Sequence, residues 1–349
     1  MTIQVGLIGY GMSGAVFHAP LIRHVEGLKL AAVVSSKPEK VLRENPGVEV
    51  LPSPEELFAR KDLSLIVITT PNTLHYPLAK AAIAAGKHVV VEKPFTVTSG
   101  EAEELIDLAR KRGVLLSVYH NRRWDSDFLT VRRLVESGRL GELALYEAHY
   151  DRYRPKVRGR WREWDLPGSG TLYDLGSHLI DQALVLFGPP RTVWADLEAQ
   201  RPGAKAIDYF HLVLDYGPLK AILHSGSLVR RPGPRFQLHG EKGSFIKYGI
   251  DPQEDQLKQG ASPGDPGYGR DREEDHGEIT VNLNGLTVRG RVETLPGNYA
   301  SYYEAVVEAI SSNRPVPVAP EEARDVIRVI ECAIRSDREK RAVAFARSE

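Results

Sequence analysis

The stretch Ile3-Gln4-Val5-Gly6-Leu7-Ile8-Gly9-Tyr10-Gly11-Met12-Ser13-Gly14 is an apolar run, too short for a helix, that ends in glycines spaced G-x-G-x-x-G. The spacing alone is a weak signal. Directly after an apolar strand and before a helical pattern, it predicts a turn that binds a dinucleotide. The first glycine permits the tight turn, the second lets the backbone approach the pyrophosphate, and the third lets helix and strand pack closely. The helix N-terminus adds free N–H groups and positive dipole charge for the phosphates. Gly9, Gly11, Met12, Ser13 and Gly14 are therefore expected at the cofactor.

Outward from this turn, short apolar runs alternate with helical patterns up to about residue 120. The runs are Gln4–Ile8, Leu30–Ser35, Leu65–Thr69, His88–Val91 and Leu115–Val118. Amphipathic segments such as Leu78–Ala85 and Ala102–Arg112 end at Gly86 and Gly113. Such alternation predicts a parallel sheet covered on both faces, a doubly wound Rossmann domain over 1–120.

From 121 to 349 the pattern is α+β. Helices are expected near Phe128–Ser137, Gly170–Phe187, Tyr299–Ser311 and Glu321–Arg335. Strands are expected near Leu143–Asp151, Val193–Ala199, Tyr209–Asp215, Ala221–Ser227, Arg235–His239, Ile279–Leu283 and Leu286–Glu293. Consecutive β runs with short turns favour a mostly antiparallel sheet.

Composition narrows the function classes. Lys and Arg number 46 against 46 Asp and Glu, so no global field gathers nucleic acid or an anionic membrane. No stretch approaches the ~18 apolar residues of a membrane span. The single cysteine, Cys332, rules out an intrachain disulfide and suits a reducing, cytoplasmic setting. Asp151–Trp164 carries six basic residues among aromatics, which reads as a loop beside the active site or plain surface rather than a grip on single strands. Asp251–Glu278, with nine acidic residues, reads as a solvated loop.

Cofactor choice rests on the end of the second strand, Val33-Val34-Ser35-Ser36-Lys37. A carboxylate about 20 residues past the glycines would bind the ribose 2′-hydroxyl of NAD. Here two hydroxyls and an ammonium stand instead, and Ser35, Ser36 and Lys37 can receive a 2′-phosphate. NADP(H) is expected over NAD(H). Thr70, Pro71, Asn72 and His75 follow the third strand at the sheet's ligand-binding edge, and Glu92, Lys93 and Pro94 follow another buried strand there.

Gly86-Lys87-His88-Val89-Val90-Val91-Glu92-Lys93-Pro94-Phe95, with the glycine fingerprint and Thr70-Pro71-Asn72-Thr73-Leu74-His75, resembles the Gfo/Idh/MocA oxidoreductases along essentially the whole chain. Tyr119-His120-Asn121-Arg122-Arg123-Trp124 and Tyr173-Asp174-Leu175-Gly176-Ser177-His178-Leu179-Ile180-Asp181 continue the resemblance, most closely to the NADP-dependent scyllo-inositol dehydrogenase branch. It implies hydride transfer between NADP(H) and a secondary alcohol or ketone of a cyclic polyol, by a homo-oligomer, dimer or tetramer. Another sugar-derived ketone, or a non-catalytic NADP-binding sensor, are the rival readings.

On a helical wheel Leu172, Leu175, Leu179, Ala183 and Leu186 form one stripe, while Asp174, His178 and Asp181 cluster elsewhere. A histidine, with its ordinary pKa near 6.5, suits removal of the hydroxyl proton during hydride loss. The D-x-x-x-H-x-x-D spacing admits a divalent ion or a purely structural histidine; no metal is expected. The resemblance makes Lys93, Asp174 and His178 catalytic. His178 is the proton acceptor and donor, Asp174 orients it or holds substrate hydroxyls, and Lys93 polarises the reacting oxygen. Whether Lys93 or His178 moves the proton stays open. Asn121, Arg122 and Arg123, placed at the start of the second domain, are expected to bind substrate with these three. His18 and His24 read as packing or surface residues.

Overall fold

The computed structural model describes residues 2–346. The chain divides into two compact units. The first comprises Met1–Trp124, Gln253–Gly269 and Asn298–Arg324; the second comprises Asp125–Pro252, Arg270–Gly297 and Asp325–Glu349. The linear division expected at residue 120 falls just before the end of the first leading segment, and two later segments return to that unit.

In the first unit six strands form one parallel sheet: β1 (Ile3–Ile8), β2 (Leu28–Val34), β3 (Glu49–Leu51), β4 (Leu65–Ile68), β5 (His88–Glu92) and β6 (Leu116–Tyr119). Their order is β3-β2-β1-β4-β5-β6, so the winding reverses between β1 and β4. Helices cover both faces, which is why β4 and β6 are buried at every position and β4 reads as an unbroken apolar run. The three-residue β3 was not signalled by any such run. The helix Ser99–Arg112 shows how locally its ends are written. Thr98 and Glu101 form a reciprocal capping box, and Gly113 stops it at φ +65°.

The returning segments are bound by specific polar contacts. Gln253 accepts from the Tyr299 N–H at 2.8 Å and donates to the Trp124 carbonyl at 3.0 Å. The Tyr302 hydroxyl donates to Ser117 Oγ, which itself donates to the Val318 carbonyl. The acid-rich stretch expected as a solvated loop is therefore only partly one. Glu254 pairs with the buried Arg122 at 2.6 Å in the first unit. In the second, Asp251 accepts from the Ser126 N–H and Asp271 pairs with the buried Lys247 at 2.7 Å. Glu273 and Glu274 stay exposed.

The second unit carries a nine-stranded sheet: β7 (Leu143–His149), β8 (Thr192–Glu198), β9 (Tyr209–Asp215), β10 (Lys220–Gly226), β11 (Phe236–Gly240), β12 (Gly243–Lys247), β13 (Gly277–Leu283), β14 (Leu286–Val292) and β15 (Val343–Ala344). The order is β14-β13-β12-β11-β7-β10-β9-β8-β15. Pairing is antiparallel throughout except between β7 and β10. Side chains alternate: Tyr146, Ala148, Phe210, Leu212, Ala221 and Leu223 face the core while their neighbours are half-buried. Short β12 and β15 were not expected from the sequence.

Burial alone would raise the Glu254 carboxyl, but Arg122 and Lys258 overcome this and hold it at about 2. The stabilisation is thus full above about pH 4.5 and fades as pH falls toward 2. Glu254→Gln should cost about 1–3 kcal/mol at pH 7, because Arg122 keeps its burial and loses this carboxylate. Urea melts should show that gap narrowing below pH 4; a constant gap would remove the ion pair as the cause.

Candidate functional site

The glycines behave as a dinucleotide cradle requires. Gly9 has φ +95°, a region that favours glycine. A Cβ on Gly14 would lie 2.3 Å from the Gly9 carbonyl oxygen, whereas one on Gly11 would meet nothing within 4 Å. One glycine thus closes the packing and another leaves space for a ligand. Thr69 Oγ1 donates to the Gly9 carbonyl at 2.8 Å and ties the loop after β4 to this turn. The helical segment from Met12 to His24 opens with a π-helical stretch, Ser13–His18. Pro20 explains the widening: it lacks an N–H and its ring would press on the carbonyl four residues earlier. At the end of β2, Ser36 and Lys37 are exposed, and the Lys37 N–H donates to Ser35 Oγ.

Glu92 organises the neighbouring edge. Ser13 Oγ donates to Glu92 Oε1, His18 Nε2 lies 3.1 Å from the same oxygen, and the Lys93 N–H donates to Oε2 at 2.8 Å. Burial would raise this carboxyl, yet the His18 hydrogen bond and charge, the Lys93 charge and Ser13 hold it at about 2. His18 is wholly buried, with Nδ1 2.6 Å from the Tyr303 hydroxyl and its ring centroid 4.3 Å from that of Tyr119. Reading His18 as mere packing or surface missed this role. Its partner Tyr303 lies 285 positions away, and no local signal announces it.

His75, fully buried, lies 2.8 Å from the Pro94 carbonyl and 3.0 Å from that of Thr70. Burial lowers its pKa, and a neutral ring donates to one of the two at a time. It braces two loops against each other, with Asn72 buried beside it in the first of them. Lys93 is half-buried and joined to Pro94 by a cis peptide bond.

Asn121, Arg122 and Arg123 do not open the second unit; they belong to the first. Asn121 and Arg122 are buried, Arg122 pairs with Glu254, and Arg123 reaches Glu322 at 2.7 Å. Both guanidiniums have carboxylate partners within their own unit.

The second unit carries the other candidates. A π-helical turn, Leu172–Gly176, runs into the helix Ser177–Phe187. Leu172, Leu175, Leu179 and Ala183 are buried as the wheel requires, and Leu186 is half-buried. His178 and Asp181 are also buried, and Asp174 is half-buried. Arg162 Nε lies 3.4 Å from Asp174 Oδ1. The basic segment that supplies Arg162 is anchored by buried Arg201. That guanidinium pairs with Asp208 at 2.7 Å and Glu163 at 2.9 Å and donates to the Arg154 and Lys156 carbonyls. Arg162 was not among the expected site residues, although the odd composition of its segment marked the place. Lys93 belongs to the first unit, Asp174 and His178 to the second.

Known proteins match both halves. Residues 3–120 match the oxidoreductase family model for an NAD-binding Rossmann fold, and 132–345 its C-terminal alpha/beta domain. The chain is 49% identical to the scyllo-inositol 2-dehydrogenase (NADP(+)) IolW of Bacillus subtilis, over 98% of this chain and 96% of that protein. It is 47% identical to an uncharacterized oxidoreductase, YdgJ of Escherichia coli, over 99% of each. The solved structure of the putative oxidoreductase yvaA from Bacillus subtilis superposes with a TM-score of 0.97 at 47% identity, covering 99% of both chains. Glycine cradle, buried Glu92 beside Lys93, and two-unit architecture agree with these matches: the chain belongs to the Gfo/Idh/MocA family and is an oxidoreductase with an NAD(P)-binding Rossmann domain.

Proposed function

We propose that this enzyme transfers a hydride between NADP(H) and a secondary alcohol or ketone of a cyclic polyol, with scyllo-inositol oxidised at one carbon as the leading reaction. The observation that carries the reading is that the sequence holds Lys93, Asp174, His178 and the glycine cradle in a chain 49% identical to a scyllo-inositol 2-dehydrogenase. When bound, the nicotinamide supplies the hydride acceptor or donor. Gly9, Gly11, Met12, Ser13 and Gly14 would hold its pyrophosphate; Thr70, Pro71 and Asn72 would line the cofactor. Ser35, Ser36 and Lys37 would hold the 2′-phosphate, supported by exposed groups and no carboxylate at the strand end.

In this reading the Lys93 ammonium meets the substrate oxygen where negative charge grows, and Glu92 fixes the Lys93 backbone. His178 takes the hydroxyl proton, and Asp174 orients it or holds a substrate hydroxyl. His75 and Arg122 act as braces, and Asn121 and Arg123 complete the hydroxyl-binding groups. A reducing, cytoplasmic setting and a homo-oligomer belong to the same reading.

Purified protein incubated with inositol stereoisomers and sugars, followed by absorbance of the reduced cofactor, tests it. Turnover of scyllo-inositol with NADP supports the proposal; tight NADP binding with no turnover of any polyol or sugar points to a sensor instead. Ser35→Asp should weaken NADP about 10- to 100-fold and shift preference toward NAD, since a charged hydrogen bond is worth ~1.5–3 kcal/mol. A wild-type kcat/KM higher with NAD than NADP would overturn the cofactor assignment. His178→Ala should lower kcat by about 10²- to 10⁴-fold with NADP affinity unchanged. Lys93→Met should lower kcat more than it raises KM, because its help is given mainly in the transition state. A change in KM alone would make Lys93 a binding residue.

A further inference from the structure

We propose that His149, Asp151 and His224 form a binding site for one divalent transition-metal ion of borderline softness, Zn²⁺ above all, on the half-buried face of the second unit's sheet. Among the described residues these three side chains each bring one ligand atom to within 4.8 Å of the others. The sheet puts them there. β7 and β10 run parallel with His149 and His224 as register partners, and Asp151 follows two residues beyond His149, on the same face.

The spacing within the cluster suits an ion. His149 Nδ1 lies 3.5 Å from Asp151 Oδ2, and His224 Nε2 lies 3.3 Å from Asp151 Oδ1. Both exceed the 2.7–3.2 Å range usual for N–H···O bonds. Each is near the ligand–ligand edge of a tetrahedron whose metal bonds are 2.0–2.2 Å, about 3.4 Å, with one histidine facing each oxygen of the carboxylate. The carboxylate is already fixed, because the Gly226 N–H donates to Asp151 Oδ1 at 2.9 Å. Its side chain is 6% exposed, those of His149 and His224 23% and 17%, so the site is sheltered yet open to an ion.

A ligating histidine needs its second ring nitrogen oriented, commonly by a carboxylate. Glu147 Oε2 lies 3.5 Å from His149 Nε2, longer than a hydrogen bond but the carboxylate beside that second ring nitrogen, and is itself steadied by Gln237 at 2.8 Å. Two imidazoles and one carboxylate leave a fourth position for water. The ion would clamp β7 to β10 at the sheet's one parallel pairing. Nothing in this argument uses Lys93, Asp174 or His178.

The test uses tag-free full-length protein, stripped with chelator and titrated with Zn²⁺ against a competing indicator dye. One equivalent per chain should bind with a Kd of micromolar or below, and Co²⁺ should give a visible spectrum without a thiolate charge-transfer band. His149→Gln and His224→Gln should each weaken Zn²⁺ at least 100-fold, and Glu147→Gln about 10- to 100-fold. His211→Gln, whose ring lies 5.7 Å from that of His224, should change it less than threefold. Circular dichroism of each variant guards against misfolding, and the wild-type titration stands without them. Absence of stoichiometric Zn²⁺ binding to wild type below 100-fold excess overturns the proposal; so does binding indifferent to both histidine substitutions.

Discussion

A carboxylate taken out of water costs several kcal/mol unless partners replace the lost solvent, and Glu92 has four of them. Ser13 and His18 come from the helix that follows the glycine turn, the Lys93 N–H from the next residue, and the Lys93 charge adds to theirs. One buried anion thus ties the start of the cofactor helix to the end of β5. Wherever Lys93 acts, its backbone position is set by this carboxylate. Tyr303 extends the arrangement by meeting the far nitrogen of His18. The return of Asn298–Arg324 to the first unit therefore has a chemical consequence, since it supplies the last hydroxyl of the chain Glu92–His18–Tyr303.

The same economy governs the glycines. Gly14 is excluded from carrying a side chain by the Gly9 carbonyl, and Gly9 by its own backbone angle, so both are needed merely to build the turn. Gly11 is different: its surroundings would accept a Cβ, and on the proposed reading that space is left for the cofactor. That contrast separates structural necessity from binding within one motif. The π-helical opening is a further departure from regularity, placed where Pro20 forbids an ordinary turn.

What could be read from the sequence was whatever is written locally. The apolar runs of β1, β2, β4, β5 and β6, the glycine stop at Gly113 and the leucine stripe of Ser177–Phe187 depend on residues within a few positions of each other. The family motif likewise sits in contiguous words. What could not be read depends on distant pairing. Arg122 meets Glu254 across 132 positions, and this anchors a segment expected as a solvated loop and gives one of the expected substrate arginines a carboxylate partner. β15, two residues long, exists only because β8 offers it an edge. The row formed by His149, His224 and His211 is invisible until the register of three strands is known.

Arg162 and Asp174 show how rigidity and lability can be divided within one segment. Their side chains are 39% and 27% exposed, and an ion pair so placed contributes about 0–1 kcal/mol. It cannot be what holds the basic segment down. That work falls to Arg201, 6% exposed, with Asp208 and Glu163 as counter-charges and two main-chain carbonyls as acceptors. A guanidinium matches such a planar set of acceptors better than an ammonium would. With the loop fixed by a buried residue, the weak pair at its tip can exchange one partner for another at little cost. On the proposed reading, a substrate hydroxyl is that other partner, and Asp174 can turn from Arg162 toward it without the loop unfolding.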